Sequence, residues 1–175
     1  VRCIEILKSI YEDIREWLKF AETKNAALLT FNGVIVFGIF DKVVDKASDS
    51  FIKTALIMGC AIILISIIIN LVSFLPQFNT SSKIQNNVVN GSQANGNLMF
   101  YEVIKDFNPQ AYLDTVAGKY NLTSNEKNID LATQIVTLSQ ITHVKLRYFN
   151  LGLYFTFSGI LIPIVSVIIV FFKSI

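Results

Sequence analysis

The side chains best placed for chemistry stand where apolar sequence begins. Glu22, Lys24 and Asn25 lie at the start of one uncharged run, and Lys145 and Arg147 lie just before another. Ammonium and guanidinium donors match phosphate oxygens, so such cations could bind an anion such as a nucleotide phosphate. The same cations equally suit lipid headgroups, and both readings stay open. Asn32 and Asn70 fall inside apolar runs. There an amide either hydrogen-bonds to a neighbouring helix or lines a wet path. The other reactive types point away from catalysis. One histidine, His143, cannot build a multi-histidine metal site or a credible Ser-His-Asp arrangement, and it reads as an ordinary helix residue. Cys3 and Cys60 are too few for a disulfide scaffold or a cysteine metal cage. The eight glycines form no Walker loop and no dinucleotide pattern, and HExxH and CxxC do not occur. The pair Glu12–Asp13 falls on a solvated helix face. We therefore expect no enzyme, no metal and no cofactor.

The elements that position these residues follow from composition. Of 175 residues, 53% are apolar and only 16% charged, and the mean hydropathy is +0.53. Soluble domains carry about 25% charged residues, so a water-soluble monomer is not expected. A net charge of +2 leaves no electrostatic footprint for nucleic acid. The excess lies in three uncharged runs, 25–40, 54–75 and 148–172. At about 1.5 Å of rise per residue, the second and third span a hydrocarbon layer of about 30 Å. The first is short alone, and reaches full length only if its helix starts near Ala21. The expected fold is an all-α membrane protein with three transmembrane helices and a small helical cytoplasmic head. Its first and last helices are long and continue into the cytoplasm.

Orientation follows from the basic residues. Segments 1–24 and 76–147 together hold eleven, against four in the loop 41–53 and the tail. The positive-inside rule then places the amino terminus and the long middle segment in the cytoplasm. Matches to the N-glycosylation pattern begin at Asn79, Asn90 and Asn121 and carry no weight in so asparagine-rich a chain.

Residues 1–24 read as an amphipathic helix. Ile4, Leu7, Tyr11, Ile14, Leu18 and Ala21 make the apolar stripe, with Ile10 and Trp17 flanking it. No proline or glycine separates it from the first run, which predicts one helix of about forty residues. Pro76 stops the second span, and 77–97 reads as a polar loop. A short amphipathic helix is expected over 98–107. A second, capped by Asn108 with Pro109 in its first turn, should end at Gly118. Thr123-x-x-Glu126 is a capping box opening the last helix, which runs into the third span unless Gly152 or Pro163 kinks it. Parallel first and last helices would bring Lys24 near Lys145 or Arg147. A head this small gains from oligomer contacts.

Three stretches in order resemble one family. Trp17–Gly33, with Glu22, Lys24 and Ala26-Ala27, resembles the first membrane segment of the Pycsar transmembrane effectors. Leu75-Pro76, Asn97–Ile104 and Tyr112-Leu113 resemble their intermembrane insert, and Gln134–Phe149 their return helix. Asn25 departs from the pattern, which has a small residue there. The resemblance implies a bacterial anti-phage effector at the inner membrane. A cognate pyrimidine cyclase would supply a cyclic mononucleotide, cCMP or cUMP, as activating ligand. The effector would then impair membrane integrity and cause abortive infection. The expected partners are the lipid bilayer, further copies of the chain as a homo-oligomer, and that nucleotide. Glu22, Lys24, Asn25, Lys145 and Arg147 are the candidate ligand-binding residues. The alternatives are a constitutive membrane scaffold or toxin, a fragment of a transporter or sensor continuing beyond Ile175, and a membrane effector of a related cyclic-oligonucleotide defence system.

Overall fold

The computed structural model describes residues 2–39, 49–75, 96–122 and 126–173. About 90% of these are helical, and no strand occurs among them. The helices are α1 (Arg2–Ile39), α2 (Ser50–Ser73), α3 (Tyr101–Ile104), α4 (Pro109–Tyr120) and α5 (Glu126–Lys173). Most of the loop 41–53, the Pro76 stop, the polar loop after it, the Asn79 and Asn90 sequons and Thr123 of the capping box lie outside the described residues.

The long first and last helices are present. α1 runs 38 residues without a break, and α5 runs 48, through Gly152 and Pro163. Among the described residues two stretches, Ser50–Ser73 and Asn128–Lys173, are long and apolar enough to cross a bilayer. The span expected over 25–40 is not among them, as its shorter uncharged run foreshadows.

The chain divides into two compact units. Val1–Glu22 and Pro76–Leu146 form one, and Thr23–Leu75 and Arg147–Ile175 form the other.

The first unit is amphipathic. Its core holds Cys3, Leu7, Ile10 and Ile14 of α1, Ile104 of α3, Tyr112, Leu113 and Val116 of α4, and Ala132, Ile135 and Val136 of α5, with Leu98 and Phe107 between helices. The buried edge of α1 therefore keeps Leu7, Ile14 and Ala21 of the expected stripe and adds Cys3 and Ile10, while Ile4, Tyr11 and Leu18 are only partly buried. Both stripes satisfy helical spacing, and the position of the partner helices decides between them. Tyr112 is fully buried, and its hydroxyl donates to the Leu98 carbonyl at 2.9 Å. Burial also pushes its hydroxyl pKa well above the ordinary value. Two helix limits differ from expectation. The helix expected over 98–107 shrinks to α3, because the Asn97 carboxamide accepts from the Met99 amide and holds a turn there. α4 passes Gly118, and Asn121 takes the left-handed position instead, at φ 51°. Leu122 N–H then donates to the Ala117 carbonyl at 2.8 Å and Asn121 N–H to that of Gly118 at 3.4 Å. That pair of bonds closes the carbonyl end, and asparagine tolerates the conformation. The start of α4 is as expected, with Asn108 Oδ1 accepting from Gln110 N–H at 3.0 Å and Pro109 in the first turn.

The second unit is apolar outside as well as inside. Phe37 is 78% exposed, Ile68 60% and Phe157 56%. Soluble proteins rarely show such a surface, and lipid suits it. Inside, α2 and α5 approach through glycine. A β-carbon at Gly59 would lie 2.5 Å from the Gly159 carbonyl oxygen and 3.1 Å from Pro163 Cδ. Pro163 has no N–H to give that carbonyl four residues earlier, so the bare Gly59 hydrogen faces an oxygen short of a helix partner.

Gly59→Ala should therefore force α2 and α5 apart and lower stability by about 1–3 kcal/mol. Gly33 has open space around its missing β-carbon. Gly33→Ala should leave stability unchanged or raise it by up to about 1 kcal/mol. Thermal unfolding of both variants in detergent checks the contrast.

Candidate functional site

Three helices of the apolar unit are joined by polar side chains with almost no access to solvent. Asn32 of α1, Ser66 and Asn70 of α2 and Thr156 of α5 are all buried. Asn32 Nδ2 donates to Ser66 Oγ at 2.9 Å. Ser66 Oγ donates to the Gly152 carbonyl at 2.7 Å. Thr156 Oγ1 donates to Asn32 Oδ1 at 2.9 Å, closing the set across α1, α2 and α5. Each hydroxyl proton is used once. Asn70 Nδ2 donates to the Ser66 carbonyl at 2.8 Å, and Asn70 Oδ1 has no hydrogen-bond partner among the described residues. A side chain at Gly152 would collide with the Asn70 amide, so this glycine makes room for it. Sequence alone marked Asn32 and Asn70 and left two readings. The structure makes Asn32 an interhelical hydrogen-bonding residue. It also adds Ser66, Thr156 and Gly152, whose only signal was a small polar or bare residue in an apolar run.

The five residues at the edges of the runs divide between the units. In the amphipathic unit, Lys145 Nζ lies 2.8 Å from Glu22 Oε1, and the Lys145 side chain is only 10% exposed against 45% for Glu22. A nearly buried ammonium is costly without a counter-charge. An incoming anion would have to displace that carboxylate. In the apolar unit, Lys24 Nζ stands 5.3 Å from the centre of the Phe149 ring, within cation–π range. Asn25 is buried there, and Arg147 is exposed.

His143 has a specific partner that its spacing did not announce. In the amphipathic unit its Nδ1 is 2.9 Å from Glu102 Oε2, and Lys105 Nζ is 3.3 Å from Glu102 Oε1. Gln140 Nε2 donates to the Lys105 carbonyl at 3.1 Å. These contacts bind α3 to α5. Burial alone would raise the Glu102 pKa, but hydrogen bonds and charge from His143 and Lys105 outweigh it and hold the carboxyl below its usual range.

A lowered carboxylate pKa stabilises the fold above the ordinary glutamate range, and the contribution is lost as pH falls through the lowered value. Backbone hydrogen exchange over 101–105, corrected for intrinsic rates, should therefore show protection that weakens on acidification through that range. In Glu102→Gln the acid-dependent step should disappear.

The sequence model of a family, described as the Pycsar effector protein domain, matches residues 6–172. No curated protein and no solved structure matches the chain.

Proposed function

The chain belongs to the Pycsar effector family of anti-phage defence effectors, and from that premise we propose that it senses a cyclic pyrimidine mononucleotide, cCMP or cUMP, and impairs the bacterial inner membrane, causing abortive infection. The observation that carries this reading is the extent of the match, which takes in both the amphipathic unit and the apolar unit. In this reading residues 25–40, 54–75 and 148–172 cross the bilayer. The segments 1–24 and 76–147 form a cytoplasmic head, and 41–53 is an outer loop. Lys24 and Arg147 sit at headgroup level, and copies of the chain assemble in the membrane.

The geometry supports a two-state mechanism. The bonds among Asn32, Ser66 and Thr156 stabilise one packing of the apolar helices. Breaking them would leave polar groups with only lipid or water to meet. A ligand drives such a change only by binding the rearranged state more tightly than the resting one. We read the nucleotide as that ligand, acting on the head, with water entering beside the released hydroxyls and amides.

Full-length protein in liposomes of bacterial phospholipid, loaded with a potassium-sensitive dye, tests this. Micromolar cCMP or cUMP should start a leak that is absent before addition. A leak without nucleotide would instead indicate a constitutive toxin, and a leak only with cyclic di- or trinucleotides a related defence system. No leak under any of these conditions would contradict the mechanism.

A further inference from the structure

A groove of about 520 Å³ opens on the amphipathic unit, and neither Glu22 nor Lys145 lines it. One wall comes from α1, with Asp13, Glu16, Trp17 and Phe20, and the other from the segment entering α3, with Asn97 and Phe100. Its aromatic lining is accessible: Trp17 is 36% exposed and Phe20 45%. Trp17 meets Phe20 and Phe100 edge-on, at centroid distances of 5.8 and 5.9 Å. Aromatic side chains left this open on a small head are unusual companions for two carboxylates. The combination offers stacking faces beside groups that only accept hydrogen bonds.

We propose that this groove seats the cytosine base of the activating nucleotide, with the ring against Trp17 and Phe100 and its exocyclic amine donating to Asp13 and Glu16. The proposal rests on the cyclic-nucleotide reading above and deepens it by naming the subsite and the base. Carboxylates favour cytosine because its N4 amine is a donor where uracil presents a carbonyl acceptor. Stacking supplies affinity without discriminating between bases. The nucleotide's negative charge needs a cation away from the two carboxylates. Lys119 supplies one: its Nζ reaches the Gly96 carbonyl, beside Asn97, through a long bond of 3.4 Å that a phosphate oxygen can replace. The volume fits a ligand of mononucleotide size.

The chain's single tryptophan lines the groove, so its emission reports directly on the site. Full-length protein in detergent micelles is titrated with cCMP and cUMP. Trp17 fluorescence is read alongside equilibrium dialysis of the same nucleotides. Saturable quenching by cCMP is expected, with cUMP binding about tenfold more weakly for loss of the charged hydrogen bonds. Asp13→Asn combined with Glu16→Gln, both at exposed positions, should weaken cCMP about tenfold and bring it level with cUMP. Helical circular dichroism of that variant confirms its fold. Lys8→Gln, at an exposed position of α1 outside the groove lining, should bind cCMP as the parent does. If dialysis shows cCMP bound while Trp17 emission and the double variant's affinity stay unchanged, the groove assignment fails and the nucleotide reading survives. Equal affinity for cUMP likewise overturns the base assignment. If neither nucleotide is retained, both readings fall.

Discussion

A hydroxyl or amide enclosed by apolar helices must find its partner within the protein, and this constraint organises the apolar unit. Asn32, Ser66 and Thr156 come from three helices, and each satisfies another. Their bonds are directional, so they select one rotation and one axial register for α1, α2 and α5. Apolar contacts alone would tolerate several. Packing then accommodates the choice. Gly152 leaves room for Asn70, and Gly59 and Gly159 let α2 and α5 come close beside Pro163. Such hydrogen bonds between membrane helices average about 0.6 kcal/mol each. Summed over the set, bonds of that strength are enough to favour one packing of the three helices.

The amphipathic unit is held by a different balance. Its core is aliphatic around one buried tyrosine, whose hydroxyl is satisfied by the Leu98 carbonyl. Helix α3 is a single turn and cannot persist alone. Buried Ile104 and the Glu102 contacts to α5 keep it in place. These charged contacts are partly exposed, so the core carries the stability and the charges fix orientation. The Glu22–Lys145 pair is the more constrained contact, because its ammonium is nearly enclosed.

Much of this was legible in the residues. The absence of proline and glycine between Arg2 and Asn32 foretold a long unbroken α1, and Asn108-Pro109 foretold the start of α4. Where reading failed, non-local geometry had decided. Two apolar stripes on α1 fit helical spacing, and only α4 and α5 select the one through Cys3 and Ile10. Gly118 looked like a helix end, but the Asn121 backbone three residues later closes the turn. Glu102 and His143 stand 41 positions apart, a separation that carries no local signal. Ser66 and Thr156 escaped notice because each often bonds its own helix backbone, as Thr30 and Ser158 do here. Only the juxtaposition of three helices gives them another role.

A double-mutant cycle on Asn32→Leu and Thr156→Val, read by reversible unfolding in mixed micelles, probes the tie most directly. The Thr156–Asn32 hydrogen bond predicts a coupling free energy of about 0.6 kcal/mol or more between the two positions, the usual size for such bonds. Strictly additive effects would mean that the two side chains do not act together, and would contradict it.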